Sequence, residues 1–449
     1  MQHQWPNSLQ EWLTYQEQLH PRAIDLGLAR ISEVLKRLGW TGKPPFKVVT
    51  VGGTNGKGSC VTTLETAFLS VGMSTGTYVS PHLLRYNERI RLNGQEVNDQ
   101  KLCTTFAKIE EARGNTSLTY FEYGTLAALE IFREAHLDIV LLEVGVGGRL
   151  DATNVLDADV AVVTTVALDH QEWLGIDRES IGKEKAGIFR TGHPAICGDP
   201  NPPDSLVKHA EKIRAPLCVQ GRDFGWYLEP NGGTWGWWGP GKQVQGLPPP
   251  RLAGVHQYQN AATVRIVLEL LTQQIPNPDQ AMKYALRNTF VPGRFQVIEG
   301  TIPCILDVAH NPQAAEALAA TLSTVKDGKT FAVVGILADK DITGILSAML
   351  PVVDSWHLVT LSGPRGAPAP QLATALSHVT CAVKVHANVV EGLLVARQEA
   401  RSGDRIVVFG SFHTVAQASE VWKCSPSSWQ EDRVLGFGPC LERRNPNSY

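Results

Sequence analysis

Short, continuous apolar runs alternate with helical stretches from about residue 46 to residue 422, and this alternation limits the fold more than any other feature of the chain. Phe46-Lys-Val-Val-Thr-Val51, Leu137-Asp-Ile-Val-Leu-Leu-Glu143 and Val160-Ala-Val-Val-Thr-Thr165 lack the strict alternation of a half-exposed strand. They have the pattern of parallel strands covered on both faces. A helical stretch from Ser59 to Leu69, closed by Gly72, follows the first run. The fold class expected is therefore α/β, with a mostly parallel sheet flanked by helices.

The pattern breaks once. Residues 221–250 hold Trp226, Trp235, Trp237 and Trp238 among glycines, then Pro248-Pro-Pro250, which reads as an irregular insert or a small β element. A helical stretch follows from about Asn260, and Val291-Pro-Gly-Arg-Phe295 reads as a hinge. Strands are then expected at 303–307, 330–337, 355–361, 381–386 and 404–409, with helices at 312–324, 341–350 and 388–401. That is the size of a separate, small doubly wound domain. The expected organisation is a phosphate-loop domain over 1–295, a smaller Rossmann-like domain over 296–423 and an irregular tail over 424–449.

Composition excludes several classes. With 43% hydrophobic and 19% charged residues the chain is neither disordered nor fibrous. Its net charge of −3 supplies no global field toward nucleic acid or an anionic membrane. No apolar run approaches the ~20 residues of a membrane span. The segment Met1 to Ser8 lacks the basic-then-apolar order of a secretory signal. The eight cysteines form no C-x-x-C pair, and Cys304 and others lie inside apolar runs, which fits a reducing compartment. A soluble cytoplasmic protein without nucleic-acid or membrane partners is expected.

The chemistry gathers at strand ends. Gly52-Gly-Thr-Asn-Gly-Lys57-Gly-Ser59 follows a strand and opens a helix, the context a phosphate loop requires. Its glycines let backbone N–H groups converge on phosphate oxygens, the helix amino end adds positive partial charge, and Lys57 supplies a point charge. The strict G-x-x-x-x-G-K-[ST] expression fails, because Gly58 follows Lys57 and Val51 stands five before Gly56. This is a phosphate loop of a different subtype. Glu143 ends a buried strand ahead of Gly145-Val-Gly-Gly148, where a carboxylate suits Mg²⁺ beside nucleotide phosphates. A strand-end cap fits that position as well. Asp169-His170 ends the next strand in the same way. Arg178-Glu-Ser-Ile-Gly-Lys183-Glu-Lys185-Ala-Gly starts a helix, and its spacing alone describes a charged, solvated face. Asp307-Val-Ala-His310-Asn311-Pro312 and Phe409-Gly-Ser411-Phe-His413 each end a strand and open a helix, as a ligand site or as caps.

Taken in order, Gly53-Thr-Asn-Gly-Lys-Gly-Ser59, Ser80-Pro-His-Leu, Glu143-Val-Gly-Val-Gly-Gly-Arg-Leu-Asp-Ala-Thr-Asn154, Asp169-His170, Ser180-Ile-Gly-Lys-Glu-Lys-Ala-Gly-Ile-Phe189 and Asp307-Val-Ala-His-Asn-Pro312 form a specific set. The set resembles the folylpolyglutamate synthases of the Mur ligase superfamily, and most closely the members that are also dihydrofolate synthases, over about residues 8–422. The resemblance implies a two-domain, ATP-dependent amide ligase with ATP at the interdomain cleft. Such an enzyme adds L-glutamate to 7,8-dihydropteroate and to tetrahydrofolates. The substrate carboxylate becomes an acyl phosphate, which the glutamate amine attacks. ATP, Mg²⁺ at two sites, a carbamylated lysine and a monovalent cation are implied. The partners implied are small molecules, and the state a monomer.

Roles carry over by position in this chain. Thr54, Asn55, Gly56 and Lys57 match the ATP-contacting loop, with Lys57 also catalytic. Ser80 and Glu143 match ligands of one Mg²⁺ and His170 a ligand of the second. Lys185 matches the carbamylated lysine, which reverses the solvated-face reading of its helix. Asn260, Arg294 and Asp307 match nucleotide contacts, and His310 and Ser411 positions near the γ-phosphate or the incoming glutamate, His310 as a catalytic candidate. Asp25, Leu26, Gly27 and Leu28, with Thr119, Tyr120, Phe121 and Glu122, and with Leu150, Asp151 and Ala152, match the dihydropteroate segments of bifunctional members. Asp151 is expected to accept hydrogen bonds from pterin N–H donors, so that Asp151→Ala impairs dihydropteroate glutamylation more than chain extension. The chain leaves the family's pattern after about Trp422. The competing readings are a polyglutamate synthase alone, a Mur-type ligase for another carboxylate, and a nucleotide-binding switch without ligase chemistry.

Overall fold

The computed structural model describes residues 5–230, 232–271, 275, 277–324 and 328–424. They divide into two compact units, Met1–Thr289 and a second from Phe290 onward, a division that falls just before the segment read as a hinge. The last expected segment, 424–449, lies outside the described residues except for Cys424, which ends the helix Phe412–Cys424. No described helix is long and apolar enough to cross a membrane.

The first unit is built on an eight-stranded sheet in the order β4-β3-β2-β5-β1-β6-β7-β8. The strands are β1 (Lys47–Gly52), β2 (Thr75–Tyr78), β3 (Ile90–Leu92), β4 (Gln95–Glu96), β5 (Ile139–Glu143), β6 (Val160–Val163), β7 (Ala195–Cys197) and β8 (Leu217–Val219). All pairings are parallel except those of β3 with β2 and β4. The register explains the continuous apolar runs. Val48, Val140 and Leu142 enter one core, whereas Val49, Val51, Ile139 and Leu141 enter another on the opposite face. Neither face meets water, so both parities must be apolar.

Central β1 lies between β5 and β6, and the connections from β1 and β6 leave in opposite directions along the sheet. The carboxyl edge at such a divergence is where open α/β sheets bind ligands. The segments after β1, β2, β5 and β6 all leave from that edge.

The tryptophan-rich insert is ordered. β9 (Gly225–Leu228), β10 (Trp235–Gly239) and β11 (Lys242–Leu247) form an antiparallel sheet, so the small β element is the reading that holds. Trp235 and Trp237, two apart on one face of β10, are fully buried in the unit's core. The buried Arg265 guanidinium lies 4.7 Å over the Trp237 ring and pairs with Glu269 and Asp279, which ties the insert to the helices His256–Leu270 and Pro278–Asn288.

The second unit carries a six-stranded sheet, β12-β13-β17-β14-β15-β16, parallel except for β12. Its strands are β12 (Gln296–Ile298), β13 (Cys304–Leu306), β14 (Thr330–Val334), β15 (Ser355–Val359), β16 (Ala382–His386) and β17 (Arg405–Phe409). The helices Pro312–Ser323, Ile342–Met349 and Val389–Glu399 lie within the expected spans, and Ala369–Ala375 is an additional short helix. Because β17 sits beside β13, Asp307 N–H donates to Val408 O at 3.0 Å and Gly410 N–H to Ala309 O at 3.0 Å. The two strand–helix turns read from the sequence are thereby neighbours.

Candidate active site

The glycine-rich loop spans the end of β1 and the start of the helix Lys57–Ser70. Gly53 has φ 137° and Gly56 φ 87°, backbone regions that favour glycine. Space demands glycine too. A Cβ at Gly53 would stand 1.8 Å from Thr164 Oγ1, and one at Gly56 2.5 Å from Asn260 Oδ1. The loop is braced by the segment after β6. Thr54 N–H donates to Thr165 O at 2.7 Å, Asn55 N–H to Thr165 Oγ1 at 3.2 Å, and the Thr164 hydroxyl to Asn55 O at 2.6 Å. The Thr54 hydroxyl donates to Ala167 O at 3.1 Å. Lys57 Nζ donates to Gly53 O and Thr54 O at 3.2 and 3.1 Å. Thr164 and Thr165, just after β6, carry no spacing signal that would single them out in the sequence. Asn260 lies at the loop, 8% exposed, and donates to Gln257 Oε1 at 3.0 Å.

Glu143 and Ser80 come together at the ends of β5 and β2. Ser80 N–H donates to Glu143 Oε2 at 3.2 Å, and Glu143 is 4% exposed. A Cβ at Gly58 would lie 3.6 Å from the same oxygen, so this carboxylate faces the first turn of the phosphate-loop helix. A buried carboxylate and a hydroxyl residue fit Mg²⁺, which takes one or two protein ligands and fills its shell with water and phosphate oxygens. No group of three or more His, Cys, Asp or Glu side chains placed to hold a metal occurs among the described residues. His170 stands after β6 with φ 52°, its N–H donating to Asp169 Oδ1 at 2.8 Å. Its Nε2 lies 3.9 Å from Asp169 Oδ2.

Lys185 does not face solvent. It is 4% exposed, and its Nζ donates to Gly53 O at 2.8 Å, which places it under the phosphate loop. Desolvation, reinforced by the Lys57 charge and opposed by Asp169 and Asp151, lowers its pKa to about 7. The solvated-face reading from spacing therefore fails at this residue. Lys183 and Glu184, its neighbours on the helix Arg178–Ala186, are not buried.

The three segments matched to dihydropteroate binding lie far apart in sequence and meet in space. Gly27 N–H donates to Leu150 O at 3.1 Å. Arg30 Nη1 reaches Asp25 Oδ2 at 2.6 Å, and its Nε reaches Glu122 Oε1 at 3.2 Å. Arg30 thus bridges two of the segments, a role with no local sequence signature. Glu122 also closes a capping box with Thr119 at the start of the helix Tyr120–Glu134. The Phe121 ring packs on Tyr78 at 5.8 Å between centroids. Leu26, Leu28 and Ala152 line the same neighbourhood by chain continuity, with Leu28 and Ala152 packed in the adjoining core. Arg30→Ala is expected to raise KM for dihydropteroate about tenfold, since one charge-assisted bridge is worth ~1.5–3 kcal/mol. Steady-state kinetics on the variant check this, and an unchanged KM would leave the bridge without a function.

Asp151 is held within a turn. It is 2% exposed, and its oxygens accept from Val146 N–H at 2.9 Å, Thr153 N–H at 3.0 Å and the Thr153 hydroxyl at 2.6 Å, with Gly145 N–H alongside. A carboxylate has about four acceptor sites. Donors of the Gly145–Thr153 turn take up these sites. Burial pushes its pKa up, against those hydrogen bonds. Asp151→Ala is therefore expected to lower both glutamylation rates by the same factor and to lower Tm, because it strands buried N–H groups at ~1–3 kcal/mol each. Both reactions assayed on one preparation, with a thermal melt, decide between this and a selective loss.

In the second unit, Asp307 accepts from Phe295 N–H and Ala309 N–H, both at 2.8 Å. Burial pushes its pKa up and nearby Arg294 opposes that. The Arg294 guanidinium lies 5.7 Å over the Phe412 ring, and the His310 ring lies 6.1 Å from the same ring. Arg294, Asp307 and His310 thus form one cluster. Ser411 sits beside it, but its hydroxyl, 2% exposed, pairs with Thr414 Oγ1 at 2.7 Å and accepts from Thr414 N–H at 3.0 Å. Its side chain caps the helix Phe412–Cys424.

Residues 293–412 match the Mur ligase glutamate ligase domain family. The chain is 46% identical over 414 residues, 92% of its length and 95% of the relative's, to a dihydrofolate synthase/folylpolyglutamate synthase of Escherichia coli. It is similar to the solved Escherichia coli FolC in complex with DHPP and ADP, with a TM-score of 0.88, 45% identity, and coverage of 93% and 98% of the two chains. A bifunctional folylpolyglutamate synthase/dihydrofolate synthase with Mn, AMPPNP and L-glutamate bound aligns with a TM-score of 0.85, 45% identity, and coverage of 93% and 98%.

Proposed function

The chain belongs to the bifunctional dihydrofolate synthase/folylpolyglutamate synthase family, and from that premise we propose how its own residues join L-glutamate to 7,8-dihydropteroate and to tetrahydrofolates at the expense of ATP. The observation that carries the reading is the meeting of the three segments around Asp25, Glu122 and Leu150 through Arg30 and Gly27 in the same unit as the phosphate loop. These segments are read as the ring site and the phosphate loop as the activation site.

Phosphoryl transfer from ATP to a substrate carboxylate asks chiefly for positioning and for neutralised charge. The N–H groups of the Gly53–Gly56 turn and the amino end of the following helix cradle phosphates, and Lys57 adds a localised cation. Ser80 and Glu143 hold a divalent ion, whose charge offsets that of the phosphate oxygens; His170 is proposed for a second such ion. Thr164 and Thr165 keep the loop open for the nucleotide. Asn260, Arg294 and Asp307 are proposed nucleotide contacts, and His310 a contact for the incoming glutamate.

Lys185 is proposed to carry a carbamate. Its Nζ adds to CO₂ and releases one proton, which requires the neutral amine. At a pKa of about 7 roughly half of the side chain is neutral at pH 7, against roughly one in three thousand for an ordinary lysine. The product is an anion beside Lys57, where two ammonium groups would repel. The thiols Cys60, Cys197 and Cys304, all buried and unbridged, support a reducing cytoplasmic location.

A coupled assay tests the whole reading. Phosphate release from Mg-ATP must require L-glutamate and must occur with dihydropteroate and, separately, with tetrahydrofolate. Release with only one of them reduces the enzyme to a single activity, and release with neither removes the reading.

A further inference from the structure

Arg89 is a buried cation with no ion pair among the described residues. It is 8% exposed, and no carboxylate lies within ion-pair distance of it among the described residues. Its surroundings are aromatic. The guanidinium carbon lies 5.3 Å from the centroids of both Tyr86 and Tyr120. Its Nε donates to His82 Nδ1 at 2.8 Å. Tyr78 borders it as well: burial pushes that phenol up to about 12, and the guanidinium acts in the opposite direction. Cation–π contact orients an arginine but does not replace a counter-charge. A buried charge is normally paired.

Its position supplies the missing partner. On one side Arg89 touches Tyr120, inside the segment 119–122 proposed for the pterin ring. On the other it touches His82, two residues beyond Ser80, whose N–H bonds Glu143 at the activation end. A ligand reaching from the segment 119–122 toward the Ser80 and Glu143 end would pass this guanidinium. The two acceptor substrates differ at that point. Dihydropteroate has one carboxylate, and that group must reach the γ-phosphate. A tetrahydrofolate carries a glutamyl tail, whose terminal γ-carboxylate reacts and whose α-carboxylate lies between the ring and the reacting group.

We propose that Arg89 binds the α-carboxylate of the glutamyl tail, so that the side chain is a specificity determinant for chain extension and not for dihydrofolate synthesis. The inference rests on the bifunctional reading above. A guanidinium–carboxylate pair is planar and bidentate, which a lysine ammonium does not reproduce. His82 and the two tyrosine rings hold the fork in place before the substrate arrives.

The test measures kcat and KM for both substrates with wild-type enzyme, Arg89→Gln and Arg89→Lys. Wild-type turnover of both substrates is read first, and its failure concerns the bifunctional reading rather than Arg89. KM for tetrahydrofolate is expected to rise about 10- to 100-fold in Arg89→Gln, with partial recovery in Arg89→Lys and KM for dihydropteroate within about twofold of wild type. Equal losses on both substrates, or none on tetrahydrofolate, overturn the proposal. Wild-type enzyme assayed with a tetrahydropteroyl substrate whose tail is γ-aminobutyrate, lacking only the α-carboxylate, needs no folded variant. It is expected to show the same rise in KM, and a KM equal to that of tetrahydrofolate overturns the proposal independently.

Discussion

Lys57→Ala lowers kcat for both glutamylations by about 10²–10³-fold or more while leaving the fold intact. The side chain contributes no core packing. Its Nζ bonds two carbonyls of its own loop, at Gly53 and Thr54, within the first turn of the helix Lys57–Ser70. The loop's shape comes instead from Thr164, Thr165 and Asn260, which the substitution leaves in place. What is lost is a preorganised charge where phosphate negative charge shifts during transfer, and such contacts act mainly in the transition state. Both reactions share the phosphoryl step, so both fall together. Turnover within about threefold of wild type, in a variant with an unchanged melt, would sink the assignment of this loop.

Lys185→Ala is the second large effect, with a loss of about 10²-fold or more in both reactions expected if a fixed anion is removed from a dry, charged site. The loss separates from simple misfolding in two ways. A small carboxylate such as formate added to the variant restores part of the rate, because it supplies the missing anion. In the wild-type enzyme, ¹³C-labelled bicarbonate yields a carbamate resonance that is absent in the variant. The dependence on pH has a definite sign. Deprotonated Lys185 is favoured as pH rises through about 7, so occupancy of the carbamate falls in acid. The same depressed pKa means that the unfolded chain binds more protons between about 7 and the ordinary lysine value, and the contribution of Lys185 to stability grows with pH across that window. No carbamate signal under bicarbonate, together with full activity of Lys185→Ala, would falsify this part of the reading.

Much of the architecture was legible because parallel strands buried on both faces leave continuous apolar runs. β1, β5, β6, β14, β15 and β17 all lie within or one residue beyond such runs. The phosphate loop was legible because glycine, lysine and a helix start coincide. What escaped were residues that act across long sequence separations. Arg30 and Glu122 stand 92 positions apart, and no local spacing marks their pairing. Arg89 looks like one more surface arginine until the fold buries it between two tyrosines. Lys185 shows the limit of charge patterning most clearly. Its helix carries the composition of a solvated face, yet this one position turns inward under Gly53. Asp151 and Ser411 show the converse, since polar residues at suggestive positions satisfy the turns that hold them.

The order of strands in the second sheet has a consequence for how the protein is made. β13 leaves the ribosome roughly 100 residues before β17, its parallel neighbour, and β14 also waits for that strand. At ~5–20 residues per second the delay is on the order of 5–20 s. The first sheet has a comparable wait of its own, since β1 precedes its neighbours β5 and β6 by roughly 90 and 110 residues, but all its strands lie within Met1–Thr289 and emerge before β13. Biogenesis is thus staggered. The phosphate-loop unit has every strand it needs while the centre of the second sheet is still missing, and nascent β13 and β14 spend that interval as apolar edges open to mispairing and to chaperone capture.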